Sequence, residues 1–153
     1  MRAVMLDVPV ALLAERQRLG HDLFHVHLSY ETGVFDPKAS GHSNYRTPDL
    51  VVFDDAARSE RGVEGRARLV VEICSPGDES LQKLAYYESV GVSEVILIDR
   101  DTKSVRHWLA TDQQLVETPA NDDGCHHLQA LPARLRTVGS ALELDVGVAV
   151  TVI

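Results

Sequence analysis

Short apolar runs set between polar, turn-forming stretches organise this chain. "DLVVF" (49–53), "LVVEIC" (69–74) and "EVILID" (94–99) are rich in β-branched residues and of strand length. "FHVHLSYETGVF" (24–35) alternates in part and reads as a further strand, followed by the turn-rich loop "DPKASGHSNYRTP" (36–48). After "SPGDES", residues 78 to 90 carry Leu81, Leu84, Ala85 and Val90 at roughly helical spacing, and Gly91 ends the helix. A shorter helix is predicted over "VPVALLAERQRL" (8–19), closed by Gly20. Beyond the turn "RDTK", "SVRHWLA" is the hairpin partner of 94–99, with Val105, His107 and Leu109 on one face. "ALELDV" (141–146) and "VAVTVI" (148–153) are the clearest later strands. The order predicts a mixed α/β (α+β) single domain over 1–153, a largely central sheet with few helices.

One residue breaks the pattern. Glu72 lies inside an apolar strand, where a carboxylate has to be paired, bound to a metal or pushed toward the neutral acid. Strand parity sends Val70, Glu72 and Cys74 to one face and Leu69, Val71 and Ile73 to the other. Asp49 opens the preceding strand behind Pro48, whose fixed φ favours an extended start. If those strands are neighbours, two carboxylates meet at a sheet edge, a hard-cation site suited to Mg²⁺ or Mn²⁺. Lys83, early in the following helix, is near enough to lean over it. The competing reading makes Asp49 a strand cap and pairs the carboxylate with Arg66 or Arg68.

Composition narrows the setting. At 153 residues, with 44% hydrophobic and 25% charged, the chain has ordinary globular character and length enough for a real core. The net charge of −8 argues against binding nucleic acid through a passive basic patch, though not against an enzyme that gathers local cations. The dense arginines Arg58, Arg61, Arg66 and Arg68 read as a solvated loop balanced by Asp54, Asp55, Glu60 and Glu64. There is no apolar run long enough to span a membrane and no apolar signal-peptide core. Two cysteines, Cys74 and Cys125, make no disulfide framework, and a reducing cytoplasm is expected.

The string "YRTPDLVVFDD…LVVEICSPGDESLQKLAYYESVGVSEVILIDRDT" resembles the Uma-two family of putative restriction endonucleases, a branch of the PD-(D/E)xK nucleases. The resemblance rests on Pro48-Asp49, the "VVEICSP" strand, Lys83 in "KLAYY" and "GVSEVILID", in that order, and covers about residues 28 to 110. It implies a restriction-endonuclease-like mixed sheet, with Asp49, Glu72 and the Ile73 carbonyl as ligands of Mg²⁺, or Mn²⁺ in its place. It also implies hydrolysis of phosphodiester bonds in DNA, Lys83 orienting the attacking water or stabilising developing charge. The standard motif puts its lysine two residues after the acid, where this chain has Cys74; Lys83 is the matching helix position. Against the family pattern, the N-terminal segment 1–27 is divergent or shortened. The further acidic strand and long amphipathic helix of the family pattern are expected to be missing there, with Glu31 the nearby acid available to stand in.

The remaining candidates read as structural. Asp78 and Glu79 are charges favoured by a helix N-terminus. His25 with His27, and the "CHH" of Cys125, His126 and His127, lack the second pair that makes a zinc site. Trp108, Tyr86 and Tyr87 are core or interface aromatics. Two helices cannot shield both faces of a sheet of several strands, so a homodimer or higher oligomer is expected to cover one face. Two functions remain open: a metal-dependent DNA endonuclease, or a catalytically degenerate relative serving as an oligomeric interaction module.

Overall fold

The computed structural model describes residues 26–41, 44–75, 77–146 and 150–152. The predicted helix at 8–19, His25 and the rest of residues 1–25 lie outside the described residues.

Thirteen strands and one α-helix are described: β1 (His27–Tyr30), β2 (Val34–Phe35), β3 (Tyr45–Arg46), β4 (Leu50–Phe53), β5 (Val63–Glu64), β6 (Leu69–Cys74), α1 (Ser80–Ser89), β7 (Glu94–Asp99), β8 (Val105–Thr111), β9 (Gln114–Thr118), β10 (His126–His127), β11 (Arg134–Val138), β12 (Ala141–Asp145) and β13 (Val150–Val152). The main sheet runs β1-β4-β6-β7-β8-β9. All its pairs are antiparallel except β6 with β7, which α1 joins as a crossover. This is the mixed α+β architecture that the pattern predicts, with β6, β7 and α1 close to their expected bounds.

Helix α1 stops where the sequence says it should. Val92 N–H reaches Tyr87 O at 3.0 Å, Gly91 N–H reaches Glu88 O at 3.1 Å, and Gly91 sits at φ 78. That pair of bonds is a Schellman close, which turns the chain straight into β7. The predicted strand 24–35 instead divides in two. Glu31 adopts φ 51, the chain turns there, and β2 leaves for a small sheet ordered β3-β2-β5.

Parity holds through the centre of the main sheet. Val51, Val70, Val95 and Leu97 face α1 and the small sheet, in a core with Tyr87, Val34, Val63 and Trp108. Leu50, Val52, Leu69, Val71, Ile96 and Ile98 face the other way. That second face is covered by an antiparallel sheet, β10-β11-β12-β13, through Leu135, Leu142 and Leu144. The reason given for a dimer therefore fails: the chain buries this face itself, with strands rather than helices. At about 1.5–3 kcal/mol for each fully buried aliphatic side chain, such an intramolecular layer is a large share of the driving force. Among the described residues no helix is long and apolar enough to cross a membrane.

Candidate active site

Strands β4 and β6 pair with Leu50 opposite Val71 and Val51 opposite Val70. One step further along that register Asp49 stands opposite Glu72, on the face that carries Val51 and Val70. The two carboxylates that sequence parity brings together thus lie on adjacent strands and one face. Ile73 N–H donates to Asp49 Oδ2 at 2.6 Å. Within a strand, one residue's N–H and C=O leave on the same flank. The Ile73 carbonyl therefore leaves toward Asp49, beyond the end of β4, whereas Cys74 O turns the other way and accepts from Arg100 N–H at 2.9 Å.

Glu72 is 3% exposed and has two side-chain donors. Lys83 Nζ lies 3.2 Å from Oε2, and the Tyr87 hydroxyl donates to Oε1 at 2.5 Å. Lys83 and Tyr87 are four residues apart on α1, which places both on one helix face over the end of β6. The arginine pairing is not what forms: Arg68 instead holds Asp54, Nη2 to Oδ1 at 2.8 Å. Arg61 likewise holds Glu64 at 2.7 Å, so the loop balances those charges locally.

Burial pushes the Glu72 carboxyl above its ordinary range; the Tyr87 bond and the Lys83 charge pull against it, and the Asp49 charge adds to the rise. Burial also raises Asp49, opposed by the Ile73 N–H and by Lys83, with Asp78 and Glu31 raising it further. Tyr87 is held strongly toward its protonated, donating form by burial and by the Glu72 charge. One buried and one half-buried carboxylate, flanked by the charges of Asp78 and Glu31, thus meet a single ammonium. The corner carries more negative charge than Lys83 balances, a donor set of oxygen atoms that suits a hard divalent cation. Among the described residues no three His, Cys, Asp or Glu side chains cluster as a metal-binding group.

The other predicted residues fall as follows. Glu31 follows β1 and its N–H reaches Asp49 O at 3.3 Å, so this acid does stand beside the corner. Asp78 accepts from Ser80 Oγ at 2.5 Å just ahead of α1, near enough to be felt by Asp49 and Lys83. His27 bonds Asp55 at 2.9 Å and stacks on Phe53. His127 bonds Asn121 at 2.9 Å, and Cys125 and His126 are buried. Trp108 is a core residue, with the Arg106 guanidinium over its ring.

Sequence reasoning missed two features. Tyr87 reads as a core aromatic and is one, yet its hydroxyl serves Glu72; the four-residue spacing from Lys83 was the available signal. The second is a buried polar group on the opposite face. Glu94, 1% exposed, bonds His107 Nε2 at 2.7 Å and accepts the N–H groups of Gln129 and Ala130, each at 2.9 Å. The His126 ring meets His107 edge-on, 5.6 Å between centroids.

Fold and corner together define a class: a nuclease-like α+β domain with an acidic pair and a lysine at the ends of its central strands. The comparisons agree. The chain belongs to the Uma2 family, described as "Putative restriction endonuclease", which matches residues 10–144. It is similar in fold to the crystal structure of a putative nuclease belonging to DUF820 from Anabaena variabilis, at TM-score 0.53 and 16% identity. The match covers 75% of this chain and 64% of that one, so the chain spans just under two thirds of that relative's length. No curated protein matches by sequence.

Proposed function

We propose that this corner binds Mg²⁺, or Mn²⁺ in its place, and hydrolyses phosphodiester bonds of DNA. The observation that carries the reading is Glu72: a buried carboxylate opposite Asp49 on one face, with Lys83 on its outer oxygen. Asp49, Glu72 and the Ile73 carbonyl would hold the cation, leaving its other positions to water and phosphate oxygen. When bound, such a cation polarises the phosphate and lowers the pKa of a coordinated water.

The chain's own groups do the rest. Ile73 N–H fixes the Asp49 carboxylate, and Tyr87 fixes that of Glu72. Lys83, with its side chain 30% exposed, has room to leave Glu72 Oε2 and orient a water or face the charge developing on phosphate. Glu31 is the further acid at the rim. The reading as an inert interaction module is not favoured, because Glu72, Lys83 and Asp49 remain assembled and the face that called for a partner is covered from within.

The test is cleavage of plasmid and oligonucleotide DNA with Mg²⁺ or Mn²⁺ against chelator, beside calorimetric titration of Mn²⁺. Metal-dependent cleavage and one site that weakens when Asp49 is changed to Asn are expected. Lys83→Ala should lower turnover by ~10–100-fold while Mn²⁺ affinity holds. A parent chain that binds no divalent cation overturns the reading.

A further inference from the structure

Both acids of the corner are tied by one oxygen and open at the other. Asp49 Oδ2 is held by the Ile73 N–H at 2.6 Å, and Glu72 Oε1 is held by the Tyr87 hydroxyl. The Asp49 tie is backbone and cannot be altered by substituting a side chain. The Glu72 tie is a phenol whose ring is completely buried in the helix-side core, on a helix turn closed by the Schellman bonds. On the open oxygen, Oε2, sits only the half-exposed and flexible Lys83. Glu72 therefore has a fixed inner oxygen and an exchangeable outer one.

A carboxylate limited to one oxygen suits some cations better than others. Mg²⁺ and Mn²⁺ favour six ligands in near-octahedral order, for which one oxygen per carboxylate is apt. Ca²⁺ takes six to eight oxygens and readily uses a carboxylate through both. We infer that Tyr87 is a positioning residue that holds Glu72 to one-oxygen ligation and so selects small octahedral cations over Ca²⁺. The inference rests on the metal reading above and goes beyond it by assigning the selectivity to one hydroxyl.

The experiment is calorimetric titration of Mg²⁺, Mn²⁺ and Ca²⁺ into the parent, Tyr87→Phe and Tyr86→Phe. Phenylalanine keeps the buried ring and removes only the bond to Glu72. Tyr86→Phe is the control, since its hydroxyl bonds Val34 O at 2.9 Å and Asn44 O at 3.3 Å rather than the acid. In Tyr87→Phe the Mg²⁺ affinity should fall by about tenfold, as outer-shell partners of ligands usually exact. Ca²⁺ affinity should hold or rise, shifting the ratio toward Ca²⁺ by about tenfold or more, and Tyr86→Phe should keep the parent ratio. A merely structural role would weaken all three cations together. Infrared difference spectra of the parent with and without Mg²⁺ address the point with no variant, because one-oxygen ligation widens the gap between the two carboxylate stretching bands. An unchanged ratio in Tyr87→Phe, an equal shift in Tyr86→Phe, or a two-oxygen infrared signature overturns the inference alone. A parent that binds none of the cations overturns it together with the metal reading.

Discussion

Glu72 and Glu94 are both buried glutamates, 3% and 1% exposed, on the neighbouring strands β6 and β7. They occupy opposite faces of the main sheet, and the difference lies in what holds them. Glu94 accepts two backbone N–H groups from residues 129 and 130 and bonds the buried His107. The two backbone donors cannot leave without unfolding the connection between β10 and β11 of the covering sheet. Glu72 is held by two side chains of one helix, one of them half-exposed, and has a second acid opposite it. Burial alone therefore does not mark a reactive carboxylate. In the proposed reading, what sets Glu72 apart is a donor that can be exchanged beside a charge that is not balanced.

The comparison breaks most visibly in rate. Glu72→Gln keeps shape and removes a ligand charge, so DNA cleavage should fall by ~10²–10³-fold. Its stability should hold or rise. The folded pKa of Glu72 is raised by burial, so its favourable contribution is full below the unfolded value and is lost as pH rises through the folded one. Above that folded value the ionised group costs stability that the neutral amide avoids. Turnover and thermal melting, measured together, check this; a variant that cuts like the parent would put Glu72 in the class of Glu94.

The converse change should cost stability and spare chemistry. Glu94→Gln turns an amide N–H₂ toward donors at Gln129 and Ala130, leaving buried groups unsatisfied at about 2–3 kcal/mol. Urea unfolding reads that loss, while cleavage well below the melting point should stay within a few-fold of parent.

The smallest effect is a contrast in pH dependence. His126 lies beside His107, and burial, then the His107 charge, lowers its pKa below the ordinary 6.5. The unfolded chain then takes up a proton first, so stability is full above the unfolded pKa and declines as pH falls toward the folded one. The raised carboxyls of Asp49 and Glu72 slope the opposite way, gaining stability as pH falls through their folded values. Unfolding free energies across pH for parent, His126→Gln and Glu72→Gln should show opposite changes of slope, His126→Gln removing a rise with pH and Glu72→Gln a fall.

What the sequence made legible follows from the range of the forces involved. β6, β7 and α1 are set by local period and by a glycine stop, and all three are found close to where the pattern places them. The opposition of Asp49 and Glu72 was accessible because parity and one strand pairing suffice to give it. Glu31 was not legible as a chain reversal, because a left-handed non-glycine residue leaves no mark in the hydrophobic pattern. Glu94 looked like the polar start of an ordinary strand; its donors come from 35 and 36 residues further on. The covering sheet's strands β12 and β13 fall close to the predicted 141–146 and 148–153, but its place across the main sheet was missed for the same reason. Leu135 pairs locally with His126 and Leu144, whereas Leu50, Leu69 and Ile96, in the cluster it joins, are distant along the chain.

The β6-α1-β7 crossover has a consequence for how the corner is assembled during folding. Glu72, Lys83 and Tyr87 all belong to the one stretch from Leu69 to Asp99, in which α1 is local but the parallel pairing of β6 with β7 closes over residues 75–93. Asp49 comes from β4, which must dock on β6 across the intervening loop of residues 54–68. A chain that has folded only its crossover holds a lysine-neutralised acid with no second carboxylate beside it. Completion of the corner thus takes two separate closures, the crossover and the docking of β4 on β6.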